Sequence, residues 1–188
     1  CDEKRIIPET LSSRGVADEN LKILEDLFGD ADRGWGSGLS CIDFDYGNFT
    51  ISCLAMGADV APVFIAPKNS GNNDISTYMA RICWDSEFDY GFDMEYAKRI
   101  CSLIDYKTTF DDVQAMLKNG VSDPKKTCVH IVSTEKLSGE EVYALNKQGY
   151  VVHCADLLKA DEKEIPSLIS KMYLEKAENI ILFEKSSV

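Results

Sequence analysis

Cys128-Val129-His130-Ile131-Val132, Tyr150-Val151-Val152-His153-Cys154 and Asn179-Ile180-Ile181-Leu182-Phe183 are three short apolar runs, each rich in β-branched residues. They decide the reading of Thr127 to Phe183 as strand, helix, strand, helix, strand. Between the first two runs lies Ser138-Gly139-Glu140-Glu141. This is a capping box: the Ser138 hydroxyl accepts from the Glu141 N–H, and the Glu141 carboxylate reaches back to the Ser138 N–H. Leu137 and Val142 flank it at the spacing of a hydrophobic staple, and Gly149 stands where a left-handed residue ends the helix. The second helix starts at Pro166, which fits a first turn because it needs no N–H there. Ile169, Met172 and Tyr173 face inward, and the helix ends near Ala177. Strands that are apolar throughout and joined by helical crossovers belong to a parallel sheet covered on both faces.

Working back from this unit, residues 1–17 read as a charged N-terminal arm. Asp18 caps a helix from Glu19 to Phe28, with Leu21, Leu24, Leu27 and Phe28 on its apolar face and Gly29 as its stop. Asp30 to Gly38 holds three glycines around Trp35 and reads as a loop. A hairpin follows. Ser40 to Tyr46 alternates with Ile42, Phe44 and Tyr46 on one face, Gly47-Asn48 makes the turn, and Phe49 to Ala55 alternates with Phe49, Ile51 and Cys53 together. Val60 to Ala66 is a third strand, and Pro62 marks it as an edge or an irregular entry. Ile75, Tyr78, Met79, Ile82 and Cys83 keep helical spacing. A helix capped by Asp93 runs through about Asp105, and another opens at Thr109 and Asp112, buries Phe110, Val113 and Leu117, and ends at Gly120. The expectation is one α/β domain over residues 1–188: an N-terminal helix, a three-stranded meander, helices and the βαβαβ unit of residues 127–183, built on a mixed sheet.

The chain has 188 residues, 45% apolar and 28% charged, with a net charge of −12. That balance disfavours a surface that binds nucleic acid through its phosphates and favours a protein partner with a basic surface. Seven cysteines at wide, irregular spacing read as buried free thiols in a reducing, cytoplasmic setting rather than a disulfide scaffold. The alternative is a lipoprotein anchored through Cys1, since signal-peptide cleavage of a bacterial lipoprotein leaves a cysteine first. No run spells a membrane span.

Cys128-Val129-His130-Ile131-Val132-Ser133-Thr134, leading through Leu137-Ser138-Gly139-Glu140-Glu141 to Gly149-Tyr150-Val151-Val152 and Ala155-Asp156-Leu157-Leu158, resembles the C-terminal half of Mrr-type proteins with the restriction-endonuclease-like fold. The likeness covers about a third of the chain. It implies an acidic metal ligand on one hairpin strand and a Glu/Gln-x-Lys triplet on the next, a set that activates water on a divalent metal. It puts the acid at Asp43, but the triplet falls on Ser52-Cys53-Leu54, without carboxamide or lysine. The resemblance therefore implies a degenerate nuclease site, repaired only if Asp43 and Asp45 work with Lys68, just past the third strand. Otherwise Asp43 is a solvent-facing strand residue.

Other constellations weigh less. Cys128, His130, His153 and Cys154 have zinc-ligand or Cys–His nucleophile chemistry, but His153 and Cys154 point to opposite faces of a strand. Buried, hydrogen-bonded histidines fit better. Asp85, Glu87, Asp89 and Asp93 alternate like calcium ligands, yet Tyr90 and Tyr96 occupy the positions that need glycine and glutamate. With Tyr90 and Phe92 between its acids, the stretch suits docking: Asp85, Glu87, Asp89, Tyr90 and Phe92 are the candidate partner-binding residues. Ser133, Thr134 and Asp156 stand at the strand ends where open α/β sheets bind small ligands. No dinucleotide, Walker or nucleophile-elbow motif is present. No metal ligand is assigned and no cofactor is expected; a divalent metal enters only with the nuclease alternative. The expected function is a non-catalytic protein-interaction module, immunity- or antitoxin-like in kind. The alternative is a metal-dependent nuclease or phosphodiesterase with an altered restriction-endonuclease-like site.

Overall fold

A computed structural model describes residues 18–35, 40–56, 59–68, 94–120, 123, 129–150, 152–154, 163, 174 and 177–186. The elements are α1 (Asp18–Phe28), β1 (Ala31–Trp35), β2 (Ser40–Tyr46), β3 (Phe49–Met56), β4 (Asp59–Pro67), α2 (Met94–Leu103), β5 (Ile104–Lys107), α3 (Phe110–Gly120), β6 (Val129–Ser133), α4 (Gly139–Gln148), β7 (Val152–Cys154) and β8 (Asn179–Phe183). The class is α/β. The strands divide by type: an antiparallel sheet in the order β1-β2-β3-β4 and a parallel sheet in the order β5-β8-β6-β7. The sequence predicts one mixed sheet; the two strand types instead hydrogen-bond separately and meet through side chains. No described helix is long and apolar enough to cross a membrane.

Alternation dictates which faces meet. In the parallel sheet Val132, Ile180 and Leu182 pack into one core cluster, while Val129, Ile131, Ile181 and Phe183 pack into another. The first cluster also takes Ile42 and Phe44 from β2, Phe49, Ile51 and Cys53 from β3, and Leu21, Leu24 and Phe28 from α1, with Ala97 and Ile100 from α2. The second takes Val113 and Leu117 from α3 and Leu145 from α4. The parallel sheet is therefore a middle layer, with the antiparallel sheet, α1 and α2 on one side and α3 and α4 on the other. Five residues of β6 and four of the five in β8 are buried, as strands covered on both faces require.

Local signals behave as the sequence predicts at most ends. Ser138 accepts from the Glu141 N–H at 3.2 Å, and the Glu141 carboxylate accepts from the Ser138 N–H at 2.6 Å. Gly149 has φ 87°, in the left-handed region, and its N–H bonds Asn146 O. The β2–β3 hairpin pairs Tyr46 with Phe49 around Gly47, whose φ is 61°. β4 lies at the sheet edge, and its register slips by one residue where Cys53 faces Pro62 and Ser52 faces Phe64.

Two stretches differ from the sequence reading. Asp30 to Gly38 reads as loop, yet Ala31–Trp35 forms β1, pairing Arg33 with Asp43 and Gly34 with Ile42. A strand with a glycine and two charges has little propensity of its own; the open edge of β2 supplies the ladder. The helix expected to run through about Asp105 stops at Leu103. Ile104–Lys107 becomes β5, parallel to β8 from Ile104↔Ile180 to Lys107↔Phe183. The meander thus has four strands, and the parallel sheet gains a strand from outside residues 127–183. The N-terminal arm, the helix at Ile75 to Cys83, the Asp85 to Asp93 stretch and residues 166–173 of the helix at Pro166 lie outside the described residues; Leu174 and Ala177, near that helix's expected end, are buried in the first core cluster.

The hairpin tip locks the two sheets together. Tyr106 on β5 stacks edge-on against Phe49, centroids 5.8 Å apart at 87°. Its hydroxyl donates to the Glu184 carboxylate, which also accepts from the Asn48 side-chain amide. A Cβ at Gly47 would lie 3.4 Å from the Tyr106 ring, an ordinary contact distance, so the turn needs glycine for its φ. Because Leu182 is fully buried between the sheets, Leu182→Ala is expected to cost about 2–5 kcal/mol. Urea unfolding followed together by circular dichroism and tryptophan fluorescence measures this, and the two probes should shift by the same amount.

Candidate functional site

β2 carries Asp43 and Asp45 on the face opposite Ile42 and Phe44, because strand side chains alternate. The two aspartates end in different environments. Asp43 is 2% exposed and faces Ser52 across the ladder, and the Ser52 hydroxyl donates to its Oδ1 at 2.7 Å. The expectation of a solvent-facing Asp43 is therefore corrected. It rests on the usual rule that one face of an antiparallel sheet meets water. Here the second face is buried as well: Cys41, Thr50, Ser52, Leu54 and Phe64 are each at most 2% exposed.

Asp45, one pair nearer the hairpin tip, is partly exposed. The Lys68 N–H donates to Asn48 O at 2.9 Å, which holds the end of β4 beside the turn. From there the Lys68 ammonium pairs with Asp45 Oδ2. The Asp45 amide donates to Asp32 Oδ2 at 2.6 Å, so a second carboxylate from β1 stands beside the pair. The hydrogen bond to Asp45 raises the Lys68 pKa; burial opposes it, and the charges of Asp45 and Asp32 add to the rise. Lys68 is thus a cation held by acids. The structure brings together Asp45 and Lys68 of the predicted trio, and Asp43 is bonded to Ser52 in the interior. Asp32 is a member that sequence spacing does not reveal, since its strand is missed. Among the described residues no group of three His, Cys, Asp or Glu side chains is arranged to hold a metal ion.

On β3, Cys53 is fully buried, and its thiol pKa is raised well above the usual value by burial, then by the charges of Asp43 and Cys41. A thiol held neutral is a poor nucleophile. His130 is buried in the middle of β6, and burial lowers its pKa to about 4. β6 and β7 pair Val132 with His153 and Ser133 with Cys154, which sets the two strands of the proposed Cys–His group side by side. Cys128 and the side chains of His153 and Cys154 lie outside the described residues.

The C-terminal edge of the parallel sheet, where α/β proteins bind ligands, is tied up by the chain itself. The Thr134 N–H donates to Phe183 O at 3.0 Å, and the Lys185 N–H donates to Thr134 Oγ1 at 3.0 Å. The Lys185 ammonium reaches Glu141 Oε2 at 2.6 Å and Lys136 O at 3.3 Å. Burial pushes the Glu141 carboxyl up, but bonds from Lys185 and Ser138 outweigh it and hold the pKa below its ordinary value. One carboxylate therefore serves the cap of α4 and the clasp to Lys185. Ser133 is fully buried, and its side-chain oxygen has no hydrogen-bond partner among the described residues. Asp156 and the residues Asp85, Glu87, Asp89, Tyr90 and Phe92 lie outside the described residues.

No protein-family model, curated protein or solved structure matches this chain.

His130 yields a pH prediction. Its folded pKa of about 4 lies below the unfolded value near 6.5, so between those values the unfolded chain binds a proton that the folded chain refuses. The contribution is full above pH 6.5 and is lost as the pH falls toward 4, by up to roughly 3 kcal/mol. Chemical denaturation at pH 7, 5.5 and 4 should show a slope in wild type that flattens in His130→Leu. An unchanged slope in the variant would mean that other groups carry the pH dependence.

Proposed function

We propose that this chain is a non-catalytic α/β interaction module whose acidic surface docks a protein partner with a basic surface. The observation that carries the reading is the net charge of −12 combined with the way the lysines are used. Lys68, Lys98, Lys107 and Lys185 each lie against an acid of the same chain: Asp45, Glu95, Asp105 and Glu141. Glu19, Asp26, Asp30, Asp111, Glu140 and Glu178 are exposed. A field of that sign steers a basic partner toward the surface. In this reading Asp85, Glu87 and Asp89 supply charge to the docking patch, and Tyr90 and Phe92 supply its apolar anchors. Immunity- and antitoxin-like proteins belong to this class, and a cytoplasmic setting suits the free thiols.

A second reading follows from one observation, the Asp45–Lys68 pair with Asp32 beside it. A carboxylate and a lysine next to a further acid are the parts of a metal-dependent phosphodiesterase, and the resemblance to Mrr-type restriction-endonuclease-like proteins points the same way.

One experiment separates the two. The full chain is immobilised and exposed to extract from its source cells at about 50 and 500 mM salt, which brackets strong and weak screening. In parallel, metal-stripped protein is heated with Mg²⁺ or Mn²⁺. The interaction reading expects a basic protein retained at low salt and released at high salt. It also expects that protein to be lost at least tenfold from the Asp85→Lys, Glu87→Lys, Asp89→Lys variant, by analogy with charge reversals at other interfaces. It expects no metal-dependent shift in melting temperature. A Mg²⁺ or Mn²⁺ shift that vanishes in Asp45→Asn, with no salt-sensitive partner, would replace it with the hydrolytic reading.

A further inference from the structure

β5 ends its sheet: among the described residues its hydrogen-bonded neighbour is β8 alone. The Lys107 carbonyl accepts from the Glu184 N–H at 2.8 Å, so the backbone groups of Lys107 and, two residues back, Asp105 point toward β8. By alternation the N–H and C=O of Tyr106 point out of the sheet. They open onto a groove of about 750 Å³ that runs between β5 and α3. The α3 wall is a single helical stripe, Asp112, Ala115, Met116 and Asn119. Asp105 and Lys107 share the sheet face that carries α3, with their charged groups 3.6 Å apart.

We propose that this groove is a seam between two copies of the chain, closed by antiparallel pairing of β5 with β5 about a two-fold axis midway between the two Tyr106 residues. The positions are self-complementary. An isologous contact requires each residue to meet its own symmetry mate or to swap partners with another. Tyr106, whose amide and carbonyl face outward, pairs with its own copy through two N–H···O=C bonds. The residues on either side then swap, so Asp105 of each copy stands opposite Lys107 of the other. Those are non-hydrogen-bonded pairs, the closer of the two antiparallel spacings, where opposite charges stabilise and like charges destabilise. The axis is perpendicular to the sheet, so both α3 helices fall on one face and run antiparallel. Ala115 keeps the helix surfaces close, and Met116, unbranched and adaptable, fills the groove of the other copy. The product is one continuous eight-stranded sheet with the β5 edges removed, which meets the need to protect an open edge. The second copy is favoured over a foreign strand because the charge pattern of β5 matches itself in this register.

Sedimentation velocity over a concentration series up to roughly millimolar protein tests the seam, since weak dimers populate only there. Wild type should show a monomer–dimer equilibrium. Lys107→Asp and Asp105→Lys should each weaken it by about tenfold or more, because each places like charges opposite one another twice. An equimolar mixture of the two variants should recover the dimer, since every cross-strand pair is then of opposite sign. The double variant Asp105→Lys with Lys107→Asp keeps the local ion pair and should dimerise like wild type, which guards against misfolding of either single variant. Ala115→Arg, on the exposed stripe, should block it. A wild type that stays monomeric throughout overturns the proposal and frees the edge for a strand from another protein. Single variants that dimerise as well as wild type overturn it by moving the contact elsewhere.

Discussion

Burial of Val132, Ile180 and Leu182 against the apolar face of the β2–β3 hairpin is the contact on which the rest of the molecule depends. It fixes the parallel sheet as a middle layer, because the alternate residues Ile131, Ile181 and Phe183 must then be covered by α3 and α4. It puts β8 at the centre of its sheet, between β5 and β6. It also brings the hairpin tip onto the sheet edge, where Phe49 stacks edge-on against Tyr106 and Glu184 accepts from both Tyr106 and Asn48. Neither sheet could bury both of its faces alone, so each is the other's cover.

That arrangement has chemical consequences. With both faces of the β2–β3 ladder out of water at the Asp43–Ser52 pair, Asp43 takes the Ser52 hydroxyl and becomes part of the interior. A buried carboxylate without such donors would be costly. The same burial keeps the Cys53 thiol neutral and His130 uncharged at ordinary pH. At the C-terminal edge of the parallel sheet, Lys185 bonds Glu141 and the Lys136 carbonyl, so a lysine stands where ligands of such folds often sit. Groups that look reactive in the sequence are thus largely engaged by the fold. Among the described residues, Glu19, Asp26, Asp30, Asp111, Glu140 and Glu178 face outward, as does the groove beside β5.

Much of this is legible in the sequence, and what is not has physical causes. The α4 cap, the Gly149 stop, the β2–β3 hairpin and the irregular β4 edge all follow from interactions within a few residues, which spacing records. The inward faces Ile42–Phe44 and Phe49–Ile51–Cys53 follow from alternation. β1 and β5 escape because their strand character comes from a neighbour: Arg33 pairs with Asp43, and Tyr106 with Leu182, a partner far along the chain. The burial of Asp43 escapes for the same reason, since alternation says which face a residue takes but not whether that face is covered. Of the candidate site, the Asp45–Lys68 pairing is legible from the strand order, while Asp32 and the Glu141–Lys185 clasp are not. The clasp joins residues 44 apart, and no local pattern marks it.

The central claim is that the two sheets form one cooperative unit through their shared core. Native-state hydrogen exchange in low denaturant tests it directly, by comparing the opening free energies of amides in β3 with those in β8. The shared core predicts that Ile51 and Ile181 amides exchange only by global unfolding, with the same free energy and the same denaturant dependence. Two distinct isotherms, with one sheet opening while the other stays protected, would contradict it.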